Sequence, residues 1–475
     1  MGLGSSHIIS IKQMTSTQTR KTLRDSALVR WSMLILIALT MFFAYMFVDV
    51  LSPLKTQLEQ EVNWSGTVFG TYGGSEFFLN VFFGFLIFAG IILDKMGVRF
   101  TAILSGSVMV LGALIKVYAL SPAFNHGGFG YDLLNSFAPN FPPSAKLACA
   151  GFAIFGSGCE MAGVTVSRAI VKWFSGKEMA MAMGIEMAVA RLGVFAVFQT
   201  SPRIYEHYGS VQHPVIFVCI LLVIGLLFYL IYGIFDKKLD SQMQTMQFEE
   251  EPPFKFSDLK MVFGSRVFWL VALLCVLYYS AIFPFQKFAT NMLENTLKLS
   301  TTEASNIFSM FPVGAMVLTP LLGLYLDRKG KGATMLIVGA VLLFICHMIF
   351  AVYPFDDSRT SYVVAISAIV ILGISFSLVP AALWPSVPKL IDSRVLGSAY
   401  SAIFFIQNIG LMVVPMIIGM VVDRTNVGVV EGHLNYTPAM LIFASFGVIA
   451  FLIGLVLKAY DRKKGYGLEL PNIKK

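Results

Sequence analysis

The chain has 475 residues, 56% of them hydrophobic and 13% charged, with a mean hydropathy of +0.75. That is too apolar for a soluble domain, and repeated apolar runs of about 20 residues exclude a barrel, whose strands run to about 10 residues with alternating polarity. The formal charge of +8 would suit nucleic acid, but the Lys and Arg residues gather at the ends of the apolar runs, so a lipid bilayer is the expected partner and nucleic acid is not.

Residues 1–30 are polar and basic, and the first apolar run is too long and too far in for a cleaved signal peptide. Twelve spans are predicted: Trp31–Leu51, Val68–Leu93, Phe100–Leu120, Leu147–Trp173, Glu178–Tyr205, Pro214–Phe235, Arg266–Thr290, Glu303–Leu326, Ala333–Val352, Ser361–Leu390, Leu396–Val422 and Thr437–Leu457. Residues 236–265, with the acidic run Glu249-Glu250-Glu251 and then Pro252-Pro253, form the one long polar segment inside the chain. It divides a first six-helix lobe, 31–235, from a second, 266–457, with a polar tail at 458–475. Placing both termini in the cytoplasm puts Lys95, Arg99, Lys172, Lys177, Arg328, Lys329, Lys331, Lys389 and Arg394 inside, and leaves a scatter outside that includes Lys55, Lys146, Lys287 and Lys298. Cys149, Cys159, Cys219, Cys275 and Cys346 all fall in spans without metal-ligand spacing and read as small core residues.

The fourth and fifth spans each carry a charge near the middle, Glu160 and Arg191, about equally far from the turn at Ser175-Gly176. Equal distances from one turn place both side chains at the same depth, where an ionised group costs at least about 2.5 to 3.5 kcal/mol. Two readings account for that cost. One is a structural ion pair across the hairpin. The other is a site for a small zwitterion, with Arg191 gripping a carboxylate by a two-pronged hydrogen bond and Glu160 taking an ammonium.

Other polar residues recur on single helix faces. Tyr45 and Asp49 in the first span and Glu76 and Asn80 in the second are spaced i, i+4, and charges facing lipid are improbable, so these faces are expected to line a cavity or the lobe interface. Glu186 adds a carboxylate one and a half turns before Arg191. Trp384 and Asn408 are the further substrate-binding candidates, chosen over Tyr278, Tyr279, Gln286 and Gln407, while Arg168 is expected at a gate or in a structural role. A phosphate loop and a metal-ligand cluster among the six His residues are both lacking, so neither an enzyme, a metal site nor a cofactor is expected.

The halves echo each other. After the second span the chain reads G-I-I-L-D-K-M-G, Gly90 to Gly97 with Asp94 inside it; after the eighth it reads G-L-Y-L-D-R-K-G, Gly323 to Gly330 with Asp327 and Arg328. This doubled pattern resembles the loop motif of the major facilitator superfamily, which implies an all-α membrane fold of twelve transmembrane helices in two six-helix lobes working by alternating access. In such a motif the glycine would allow close helix approach and the aspartate would cap or pair across the lobe interface, latching one state. W-F-S-G-K-E (Trp173 to Glu178), A-V-A-R-L-G (Ala188 to Gly193), A-A-L-W-P (Ala381 to Pro385), L-G-S-A-Y (Leu396 to Tyr400) and I-Q-N-I-G (Ile406 to Gly410) are similar to a dipeptide-carrying family within it.

That resemblance implies that Glu160 and Arg191 bind the two ends of a dipeptide, carried without a coupled ion. Asp49, Glu76, Glu160 and Glu186 could all titrate, so a symporter with protons as a second ligand is a further variant, and a monomer is expected. The resemblance also implies that the most apolar spans, the sixth, ninth and twelfth with the third close behind, face lipid. The family's lysosomal address would need an acidic dileucine signal, which is not seen before Arg30, so a bacterial inner membrane is expected. An anion carrier using Arg191 alone, and a non-transporting sensor on a carrier fold, are the alternatives.

Overall fold

The computed structural model describes residues 22–243, 259–392, 395–430 and 432–471, and among them all regular structure is helical. The acidic run Glu249 to Glu251, and Arg394, lie outside the described residues. The first lobe comprises α1 (Ala27–Asp49), α2 (Lys55–Val62), α3 (Gly66–Ser75), α4 (Phe78–Phe83), α5 (Phe85–Ala119), α6 (Pro122–Asn125), α7 (Tyr131–Asn135), α8 (Pro143–Phe174), α9 (Met179–Tyr208) and α10 (Gln212–Met243). After α11 (Leu259–Gly264) the second lobe follows as α12 (Arg266–Leu297), α13 (Thr301–Phe308), α14 (Met310–Lys329), α15 (Gly332–Val352), α16 (Arg359–Leu390), α17 (Leu396–Thr425) and α18 (Thr437–Lys464). Helices are the expected solution, because a chain in hydrocarbon must satisfy every backbone group internally.

Eleven helical stretches among the described residues are long and apolar enough to cross a membrane. The second crossing is not one of them, because it is broken. A single helix is predicted over Val68–Leu93, but the chain interrupts it at Glu76-Phe77 and again at Gly84, whose φ of 62° is a left-handed value that glycine adopts without strain. It turns once more at Gly97, φ 77° and ψ 167°, inside α5, so the first third of α5 completes the second crossing and the remainder makes the third. Twelve crossings result among the described residues, so α1 begins and α18 ends on one side of the bundle.

The lobes meet mainly on the half of the bundle remote from the termini. There α3 lies against α17 so closely that a Cβ added to Gly74 would sit 2.2 Å from the Met412 carbonyl oxygen, and one added to Gly419 would sit 2.1 Å from that of Gly66. Asp423 of α17 accepts from the backbone N–H groups of Gly66 and Thr67 at 2.7 Å each, capping α3 from the opposite lobe. The end of α1 and the start of α2 meet α12 and α13: Asp49 accepts from Gln286 at 2.5 Å and pairs with Lys287 at 3.0 Å, Thr56 donates to Glu294 at 2.6 Å, and Gln57 donates to Thr301 at 2.7 Å. From α9, Gln199 donates to Ser309 at 2.7 Å and Arg203 to Asn306 at 3.2 Å. Among the described residues the lobe-to-lobe hydrogen bonds and ion pairs lie at this remote end, which is thus closed, while the opposite end carries none and is open.

Lys287 is therefore no loop residue. It was expected among the outer scatter although the predicted span Arg266–Thr290 already holds it; it lies within α12 and is 7% exposed, because Asp49 and the Val48 carbonyl of the facing lobe receive its ammonium.

Candidate functional site

Glu160 and Arg191 sit half-buried on α8 and α9, in the space where the two lobes part. Arg191 owes its place to the glycine two residues on: a Cβ at Gly193 would stand 2.3 Å from the Phe42 carbonyl oxygen, so only glycine lets α9 close on α1 here. The guanidinium reaches the opposite lobe, lying over the Phe376 ring at 4.8 Å and the Phe283 ring at 5.8 Å from their centroids. Glu160 likewise faces across the divide, toward the Asn408 side-chain amide of α17. Among the described residues no ion pair joins Arg191 to Glu160 or to Glu186. The two central charges each engage the facing lobe rather than one another.

The second lobe answers with an aromatic wall. The Trp384 indole donates to the Tyr279 hydroxyl at 3.2 Å and stacks on Phe404 at 4.9 Å, while Tyr279 stacks on Phe283 at 5.5 Å and meets Phe376 edge-on at 6.2 Å. Trp384 lies in this wall, and Asn408 lies opposite Glu160. Tyr279 was passed over, and Phe283 and Phe376 were not singled out, since an aromatic residue in a membrane helix carries no sequence mark separating packing from site. Tyr278 points the other way and donates to the Leu336 carbonyl inside the lobe, and Gln407 accepts from the Cys275 thiol at 3.1 Å.

The other candidates divide by depth. Tyr45 and Glu186 lie half-buried in the first lobe near Arg191. Glu76 sits in the break between α3 and α4, with Lys287, Asp49, Glu160 and Lys116 as its charged neighbours. Asn80 is 2% exposed on α4. Asp49 belongs to the closure described above. Lys116 was overlooked altogether, because the third span is otherwise among the most apolar. It is fully buried between the Phe47 and Phe152 rings, 3.9 and 4.2 Å from their centroids, and donates to the Tyr72 hydroxyl at 2.5 Å.

The two loop motifs lie at the open end. Asp94 pairs with Arg168 at 3.1 Å within its own lobe, but the close approach expected at Gly90 and Gly323 is not made in this state: an added Cβ at either would meet nothing within 4 Å. Gly97 makes the turn described above, and Arg328 is exposed beside Asp327 near the end of α14. Gly330, φ 72°, ends α14, and the tail docks on the turn after it, where the Lys331 and Gly332 N–H groups donate to the Glu469 and Leu468 carbonyls at 3.0 and 2.9 Å.

A two-lobe bundle closed at one end around a half-buried pair of opposite charges is the build of a carrier. The model of the Major Facilitator Superfamily matches residues 37–415 and 288–470 in two overlapping stretches. The chain belongs to the major facilitator superfamily. This superfamily member is 26% identical over 404 residues to the lysosomal dipeptide transporter MFSD1 of Homo sapiens, covering 83% of this chain and 80% of that one. It is also 26% identical over 439 residues to the protein of the same name from Danio rerio, covering 90% and 86%. Among solved structures, the nucleoside transporter NupG superposes with a TM-score of 0.65 at 13% identity, covering 90% of this chain and 99% of that one. The D-xylose-proton symporter does so with 0.65 at 14%, covering 89% and 97%. At such identities these two structures attest the fold alone.

Proposed function

We propose that this superfamily transporter carries dipeptides by alternating access, with Arg191 holding the substrate carboxylate and Glu160 its ammonium. The observation that carries the reading is the placement of two opposite charges in the inter-lobe space, unpaired with each other and faced by an aromatic wall. A ligand with one charge of each sign, held by its backbone ends, leaves its side chains to that wall, so affinity depends little on sequence. Relatives named as dipeptide transporters across most of the chain support the same substrate class. The concentration of Lys and Arg toward the open end supports a cytoplasmic location for both termini, and so an inward-facing state.

The test is uptake of a labelled dipeptide by proteoliposomes. Arg191→Ala and Glu160→Gln should each abolish uptake while the purified variants stay folded; wild-type uptake in either would remove the site. Acetylating the peptide's amino group should cost affinity here, whereas a carrier of anions would be indifferent to it. Repeating uptake with and without a pH gradient separates uniport from proton coupling.

A further inference from the structure

Asn80 is 2% exposed, yet neither its amide nitrogen nor its amide oxygen has a hydrogen-bond partner among the described residues. A primary amide can donate twice and accept twice, and leaving all of that unmet inside a protein is expensive. The side chain lines a small cavity of about 10 Å³, closed on the other side by Asn408 and Ser401 of the facing lobe and bounded by Gly84 at the helix break. A volume of about 10 Å³ is close to what a single oxygen-sized group needs. Broken helices at membrane depth are tolerated where they line such a space or are buried in protein. Asn408, across the cavity, faces Glu160 with its side-chain amide.

We propose that Asn80 and Asn408 together receive the peptide bond of the substrate. Asn80 donates to the peptide oxygen, which occupies the small cavity, and the Asn408 oxygen is placed for the peptide N–H. This inference rests on the dipeptide reading and adds to it a reason why a peptide would be favoured over other zwitterions. The two charges fix the ends of the ligand; the two amides sense what joins them. A site built to hydrogen-bond a group rejects the analogue that lacks it far more sharply than an apolar pocket rejects a misfit, because its own buried polar atoms then go unpaired.

The deciding probes are diglycine and 5-aminopentanoate, which has the same number of atoms between ammonium and carboxylate but no amide. Binding of each is measured to the purified full-length protein by isothermal titration, with thermal unfolding of every variant as the folding control. The wild type should prefer diglycine by about tenfold or more. Asn80→Leu, similar in size but without polar atoms, should bring that ratio to near one by weakening diglycine alone. Asn80→Ala, which only removes atoms, should do the same if the leucine variant does not fold. Equal wild-type binding of both probes overturns the inference and leaves the charged-end site standing. A variant that weakens both probes equally, or that keeps the wild-type ratio, also overturns it, assigning Asn80 to the architecture of the helix break. Failure of the wild type to bind either probe overturns the dipeptide reading and this inference with it.

Discussion

Replacing Lys287 by methionine should release the closed end of the transporter. The ammonium of Lys287 lies 3.0 Å from Asp49, and the two side chains are only 8% and 1% exposed, so solvent screens them little. At an effective dielectric constant of about 20 the attraction between unit charges at that distance is about 5 to 6 kcal/mol, before the cost of burying both. Deleting one partner of a buried pair leaves an uncompensated charge and costs about 3 to 5 kcal/mol. Asp49 would keep its hydrogen bonds from Gln286 at 2.5 Å and Ser52 at 2.8 Å, which favours the lower figure. A loss of about 3 kcal/mol from the closed state alone shifts the balance between closed and open by about two decades.

Spin labels at Gln60, on α2, and Val427, beyond α17, report the gap across that end by electron–electron double resonance. The wild type should give one short distance, and Lys287→Met should add a longer population. The double variant Asp49→Asn with Lys287→Met, which removes both members of the pair, should restore much of the short one. Unchanged distances in the single variant, at undiminished thermal stability, would refute the assignment of this pair to closure.

Gly74→Val should also open that end and lower the unfolding temperature, because its Cβ falls 2.2 Å from a backbone oxygen, whereas Gly90→Ala, in open space, should behave as wild type; melting curves of the pair check the contrast. Lys116→Met keeps the volume of the buried side chain while removing a costly charge from its aromatic cage, so the unfolding temperature should hold or rise. A fall of many degrees would show that the cation is needed there. Ser300→Ala removes the cap of α13, where the Ser300 side chain accepts from the Glu303 N–H at 3.3 Å and the Glu303 carboxylate accepts from the Ser300 N–H at 3.0 Å. The expected loss is about 1 kcal/mol in a denaturation measurement, with uptake unaffected.

The candidate site was partly legible in advance. Glu160 and Arg191 stand out in any reading of the chain, since a charge amid twenty apolar residues is conspicuous and two at equal distances from one turn are more so. What they touch was not legible. The linear sequence suggests each as the other's partner, yet Arg191 lies over Phe376 and Phe283 and Glu160 meets Asn408, about 90 to 250 residues away in the chain. Lys116 and Lys287 were hidden for a related reason. Hydropathy averaged over a membrane-length window absorbs a single lysine, and nothing local says that an aromatic cage or an aspartate from the other lobe will receive it.

The membrane class, the two-lobe organisation, the doubled loop motif and the matched positions of the two central charges on one hairpin are legible in the residues alone. These follow from composition and period, because lipid imposes helices of a fixed length and penalises ions wherever they fall. Only the tertiary structure decided which end is shut, how the second crossing breaks at Gly84 and Gly97, and which lobe supplies the partner of each buried charge. Those outcomes depend on contacts between residues hundreds of positions apart, whose energies exist only once the two lobes have met.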